Sequence, residues 1–91
     1  SYIAAFNATQ GTELWRNEKL QWRDLGEPLA TGSSVLAGDS EGYLHLFSQT
    51  TGDVIGRVRV DSSGITAAPI ATQGLIIIQT KGGTLAAYKV Q

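Results

Sequence analysis

The feature that most constrains this chain is a repeat. Written under itself with an offset of 41 residues, "EPLATGSSVLAGDSEGYLHLFS" aligns with "APIATQGLIIIQTKGGTLAAYK" without a gap. Pro28 falls on Pro69, Ala30 on Ala71, Thr31 on Thr72, Gly42 on Gly83 and Leu44 on Leu85. The same offset lays "FNATQGTELWR" over "FSQTTGDVIGR", with Phe6 on Phe47, Thr9 on Thr50, Gly11 on Gly52 and Arg16 on Arg57. A chain made of short repeats has to stack them, because one unit cannot bury its apolar face alone.

Each unit reads as four short strands. "PLATGS" and "PIATQG" open a unit as inner strands, where proline suits the first position. "SVLAG" and "LIIIQ" follow as continuous apolar runs, the pattern of strands covered on both faces. "YLHLFS" and "LAAYKV" (residues 85–90) come third, after a glycine-bearing hairpin loop, and "IAAFN" matches them near the start. "DVIGRVRV" is the outer strand, with Val58 and Val60 on one face and Arg57 and Arg59 on the other, as in a half-solvated strand. Four strands in ~40 residues is the period of a β-propeller blade. The expected fold is therefore all-β, built of four-stranded antiparallel blades. Residues 1–24 should supply the last two strands of one blade and a connection, 25–61 a complete four-stranded blade, and 62–91 the first three strands of the final blade.

Composition narrows the function. The 7 basic residues are scattered and balanced by 8 acidic ones, for a net charge of −1, so there is no electrostatic footprint for nucleic acid. No apolar run reaches the ~18–20 residues of a membrane-spanning helix. "SYIAAFNATQG" has neither the basic start nor the apolar core of a signal peptide. The absence of cysteine removes disulfides, thiolate metal sites and thiol nucleophiles together.

One segment carries the residue types of nucleophilic hydrolysis. "GDSEGYLHLF" places Asp39, Ser40 and His45 within seven positions. Its repeat copy is the control: residues 79–83 read Gln-Thr-Lys-Gly-Gly, and Ala86 replaces His45. The carboxylate, serine and histidine vanish while the glycine persists, as a hairpin needing positive φ requires. The segment reads as a turn, with His45 a packed strand residue facing the next blade. Gly42→Val and Gly83→Val are expected to lower stability, whereas Ser40→Ala and Asp39→Asn are expected to matter little.

The segments "AAFNATQGTELWR" and "HLFSQTTGDVIGR" resemble the repeat of quinoprotein-type propellers, a strand followed by a "TGxxxW" turn and outer strand. Trp15 fills the tryptophan place in the first copy, and Gly56 departs from it in the second. In that repeat the tryptophan docks between blades. "GDSEGYLHLF", "VDSSG" and "LIIIQTKGGTLAAYKVQ" further resemble the C-terminal end of the BamB family of outer-membrane assembly lipoproteins. The resemblance implies part of an eight-bladed propeller at the periplasmic face of the Gram-negative outer membrane, with the lipid anchor outside these residues. It implies a non-catalytic scaffold for inserting outer-membrane proteins, acting through the periplasmic domains of BamA. A sugar- or peptide-binding propeller stays open as an alternative, and a quinone-dependent dehydrogenase propeller as a more distant one. The latter needs calcium-coordinating carboxylates, but Asp39, Glu41, Asp53 and Asp61 all fall in expected turns. No catalytic residue, metal or cofactor is assigned.

For a scaffold, the informative segment is "RNEKLQWRDLGE", residues 16–27, the most charged stretch of the chain. It presents Trp22 with Arg16 and Arg23, residue types enriched at interface hot spots; the competing reading has Trp22 covering the edge of its own propeller. Apolar blade faces and an unpaired edge at residues 85–90 lead to one further expectation. These 91 residues on their own should self-associate through blade faces or strand edges.

Overall fold

The computed structural model describes residues 2–89. Among them are nine strands: β1 (Ile3–Phe6), β2 (Glu13–Asn17), β3 (Leu29–Thr31), β4 (Ser34–Gly38), β5 (Tyr43–Ser48), β6 (Val54–Arg59), β7 (Ile70–Thr72), β8 (Leu75–Gln79) and β9 (Leu85–Lys89). They form three antiparallel sheets, β1-β2, β3-β4-β5-β6 and β7-β8-β9. Strands β4, β5 and β8 have the bounds expected from the repeat. The inner strands β3 and β7 are shorter, and β9 ends at Lys89; Val90 lies outside the described residues.

Alternation along β5 shows how the blades stack. Leu44 and Leu46 join a core with Leu36, Ile65, Ile76 and Ile78, between the middle and last blades. Phe47 points the other way and packs with Ile3, Trp15 and Ala37 of a second core. Burying each large side chain of this kind contributes ~1.5–3 kcal/mol. Phe6, the repeat equivalent of Phe47, is exposed, whereas Phe47 is fully buried. The difference is the neighbour: Phe47 lies against the first blade. On β6 the expected division holds, with Val58 and Val60 packed on the core and Arg57 and Arg59 exposed.

The repeat also preserves an irregularity. The pairing register shifts between Ala5 and Phe6 in the first blade and between Leu46 and Phe47 in the middle one. One extra residue on the outer strand, Leu14 or Ile55, bulges outward at each place, and both are exposed. Such bulges increase the local twist and bend the strand.

Trp15 joins the first two blades as the family resemblance implied. Its indole Nε1 donates to the carbonyl of Gln49 at 2.8 Å. The ring lies against Gly52, where a Cβ atom would fall 2.2 Å from the indole. Asn17, one turn of the pleat further along β2, donates its amide to the Gly52 carbonyl at 2.7 Å. At Gly56, which occupies the tryptophan place in the next unit, an added Cβ would meet nothing within 4 Å.

The hairpin glycines behave alike in backbone but not in surroundings. Gly42 and Gly83 have φ of +91° and +96°, a region costing an L-residue roughly 1–2 kcal/mol. At Gly42 a Cβ would also fall 1.8 Å from the Asp61 carbonyl oxygen, whereas at Gly83 nothing lies within 4 Å. Gly83→Ala should therefore cost only the backbone term, about 1–2 kcal/mol. Gly42→Ala should cost at least twice as much, because the linking segment at Asp61 has to move. Denaturant midpoints of the two variants decide this, and equal losses would contradict the close approach.

Candidate functional site

The hairpin between β4 and β5 begins at Asp39, which sits at the end of a strand with its side chain directed inward. Its carboxylate is fully buried, as is His45. One oxygen, Oδ1, accepts from the backbone N–H groups of Glu41 at 2.9 Å and Tyr43 at 3.0 Å. The other, Oδ2, accepts from Arg23 Nη1 at 3.0 Å and lies 2.7 Å from His45 Nε2. A carboxylate only accepts, so the His45 proton shared with it sits on Nε2. His45 Nδ1 has no hydrogen-bond partner.

Burial by itself opposes ionisation of Asp39 and is the largest single influence. The hydrogen bonds from His45, Tyr43, Glu41 and Arg23 together outweigh it, so its pKa lies below the ordinary carboxylate value. The group is therefore a structural anion. It has the Asp–His half of a hydrolytic triad but lacks the nucleophile. Ser40 is exposed, and no hydrogen bond joins it to His45.

Two expectations change at this point. Asp39→Asn was expected to matter little, because the repeat copy has no carboxylate; four donors converging on a buried carboxylate make it a costly substitution. His45 also faces the preceding blade rather than the following one, since it shares a face of β5 with Phe47, which packs on Ile3 and Trp15. The repeat copy solves the same hairpin with a neutral group. Thr80 Oγ1 accepts from Thr84 N at 3.0 Å, as Asp39 Oδ1 accepts from Tyr43 N. Thr80 in turn donates to Asp61 Oδ2 at 2.6 Å. That hydroxyl, with the Ser63 backbone N–H and hydroxyl, holds Asp61 far below the usual carboxylate range.

The three residues proposed from the sequence for partner contact have separate fates. Trp22 is 90% exposed, so it does not cover the edge of its own blade. Arg23 turns inward to Asp39, and its guanidinium lies 4.9 Å from the Tyr43 ring. Arg16 is held by Glu13 at 2.8 Å and Glu18 at 3.6 Å, over the ring of Tyr2 at 4.1 Å. Of the three, Trp22 is the most exposed.

The sequence matches the family model described as outer membrane protein assembly factor BamB over residues 1–91. The chain belongs to the BamB family. It is 40% identical over 86 residues to BamB of Shewanella oneidensis, covering 94% of this chain and 22% of that protein. BamB of Pseudomonas aeruginosa is 36% identical over 89 residues, covering 98% of this chain and 23% of the relative. The chain thus spans under a quarter of these BamB proteins. In fold it matches the crystal structure of BamB from Moraxella catarrhalis with a TM-score of 0.90 at 24% identity, over 99% of this chain and 26% of that one. It also matches the computationally designed Ika4 protein, with a TM-score of 0.78 at 19% identity, over 94% of this chain and 52% of that one. The all-β architecture is accordingly that of β-propeller blades.

Substituting Asp39 by Asn keeps the shape but replaces a charged acceptor by an amide that must turn N–H groups towards Arg23 or His45. A loss of at least ~2 kcal/mol at neutral pH is expected, in the range of hydrogen bonds to charged groups. The sign of the pH dependence follows from the lowered pKa of Asp39. Its stabilisation is present above the unfolded value of ~3.9 and is lost as pH falls through the lower folded value. The stability gap between wild type and Asp39→Asn should thus be constant from pH 7 to about 5 and close below pH 4. A gap that widened on acidification would contradict the assignment.

Proposed function

We propose that this chain is part of a non-catalytic scaffold of the β-barrel assembly machinery. It would act at the periplasmic face of the Gram-negative outer membrane, in a protein anchored by lipid outside these residues. The scaffold would support folding and insertion of outer-membrane proteins by binding the periplasmic domains of BamA. The observation that carries this reading is the match along the whole chain to a family whose relatives are outer membrane protein assembly factors. The site chemistry agrees with it. The buried Asp39–His45 pair serves the hairpin, and Ser40 is not hydrogen-bonded to it.

Trp22 is the contact residue we assign. A tryptophan 90% exposed gains most by burial in a partner, and Trp is enriched among residues that dominate binding energy. Arg23 supports it from below: the ion pair with Asp39 fixes the loop on which Trp22 stands. Arg16, engaged by Glu13 and Glu18, contributes at the rim.

The intact protein and the purified BamA periplasmic domains provide the test by calorimetric titration. Trp22→Ala is expected to weaken binding by at least ~2 kcal/mol, roughly 30-fold, with the melting temperature unchanged. A lower melting temperature with full affinity would return Trp22 to a structural role.

A further inference from the structure

Tyr43 is surrounded by guanidinium groups. Arg23, Arg59 and Arg57 lie 4.9, 4.9 and 5.9 Å from its ring centroid. Arg23 arrives from the loop of the preceding blade, whereas Arg57 and Arg59 stand on β6. In the sheet register Arg59 pairs with Tyr43 and Arg57 with His45, so all four side chains share one face. Three positive charges around one ring repel one another, and the charge compensation is uneven. Arg23 is neutralised by Asp39 at 3.0 Å and Glu41 at 3.4 Å. Among the described residues Arg59 donates only to the backbone carbonyls of Glu41 and Asp61, at 3.1–3.2 Å. Arg57 makes no hydrogen bond or ion pair among the described residues. Asp61, the nearest other carboxylate in sequence, is turned towards Thr80 and Ser63.

We propose that Arg57, Arg59 and Tyr43 form a binding surface for an extended acidic peptide segment, with carboxylates at alternate positions. Two features select this ligand over a compact anion. Arg57 and Arg59 are two residues apart on one strand, so their stems are ~6.6–6.8 Å apart, the spacing of alternate side chains on another extended chain. A phosphate, by contrast, needs donors converging on a point. The planar guanidinium fork of Arg57 also suits bidentate carboxylate pairing, while Arg59, whose Nε and Nη2 hold backbone carbonyls, offers Nη1 to a second carboxylate. The surface stands in a chain of net charge −1, so the positive patch is local and no wider field recruits nucleic acid. Exposed charges on an outer strand also discourage edge-to-edge aggregation. That role needs charge alone and not the clustering around Tyr43.

The test uses the intact protein and a fluorescein-labelled peptide alternating Glu with Thr, read by anisotropy beside its Gln-for-Glu twin. The Glu peptide should bind at least ~5-fold more tightly than the twin, as expected for two partly exposed charge pairs. The double variant Arg57→Gln/Arg59→Gln should abolish that preference, and Arg57→Gln alone, at an exposed side chain that makes no hydrogen bond among the described residues, should reduce it with an unchanged melting temperature. Raising the salt should weaken the Glu peptide only, by screening. Equal binding of the two peptides, binding of neither, or a preference retained in the double variant would each overturn the proposal. Displacement of the Glu peptide by inorganic phosphate beyond an ionic-strength-matched chloride control would also overturn it, in favour of a phosphate site. The probe contains no part of BamA, so this result stands or falls separately from the role of Trp22.

Discussion

A single buried residue, Asp39, links the loop before the middle blade, that blade's own hairpin and the segment after it. Asp39 takes four donors on its side chain, one of them Arg23 from the preceding blade's loop. Its backbone carbonyl accepts from Gly42 N at 3.2 Å, which closes the hairpin, and from Ile65 N at 2.8 Å, which brings in the segment leading to the last blade. The Ile65 side chain then fits where Gly38 has no Cβ; an added one would fall 2.3 Å away. A carboxylate out of water is expensive unless fully hydrogen-bonded. Its placement here is tolerable only because all these groups converge. Removing one leaves the others facing an uncompensated charge, so the junction is cooperative.

The middle blade is clamped to the first at both ends of β5. At the Tyr43 end the clamp is the Arg23–Asp39 ion pair, and at the Ser48 end it is the Trp15 indole on the Gly52 turn. Its junction with the last blade uses other chemistry: the Ile65 plug, the Thr80–Asp61 hydrogen bond and a backbone bond from Lys81 N to the Gly64 carbonyl at 2.8 Å. The repeated backbone is nearly invariant while the junction side chains vary. That division lets the loop carrying Trp22 be held by an ion pair, Arg23–Asp39, whose places in the other repeat are taken by Gly64 and Thr80.

The strands were legible because the repeat sets two copies of each pattern side by side. The apolar runs at 34–38 and 75–79, the alternation Arg57-Val58-Arg59-Val60 and the paired glycines at 42 and 83 each correspond to what is observed. The junction was not legible, for a physical reason. Comparing Asp39 with Thr80 finds only what recurs in both repeats, but a junction role belongs to one interface and has no reason to recur. Its partner Arg23 lies 16 residues away, in the irregular segment that precedes β3 and β4. Nor could the sequence decide whether Trp22 packs down or points out. Both options satisfy an aromatic residue in a charged loop, and only the fold of residues 18–25 leaves it 90% exposed.

Asp39 and Arg23 act as one unit, fixing the Trp22 loop to the blade beneath it. A double-mutant cycle measures it most directly, with Arg23→Met, Asp39→Asn and the combination compared by denaturant unfolding of the intact protein. The two side chains are in contact, so the cycle should give a coupling energy above ~1 kcal/mol, within the range for interacting pairs. Strictly additive losses would mean that the pair is incidental and that the loop is held by something else.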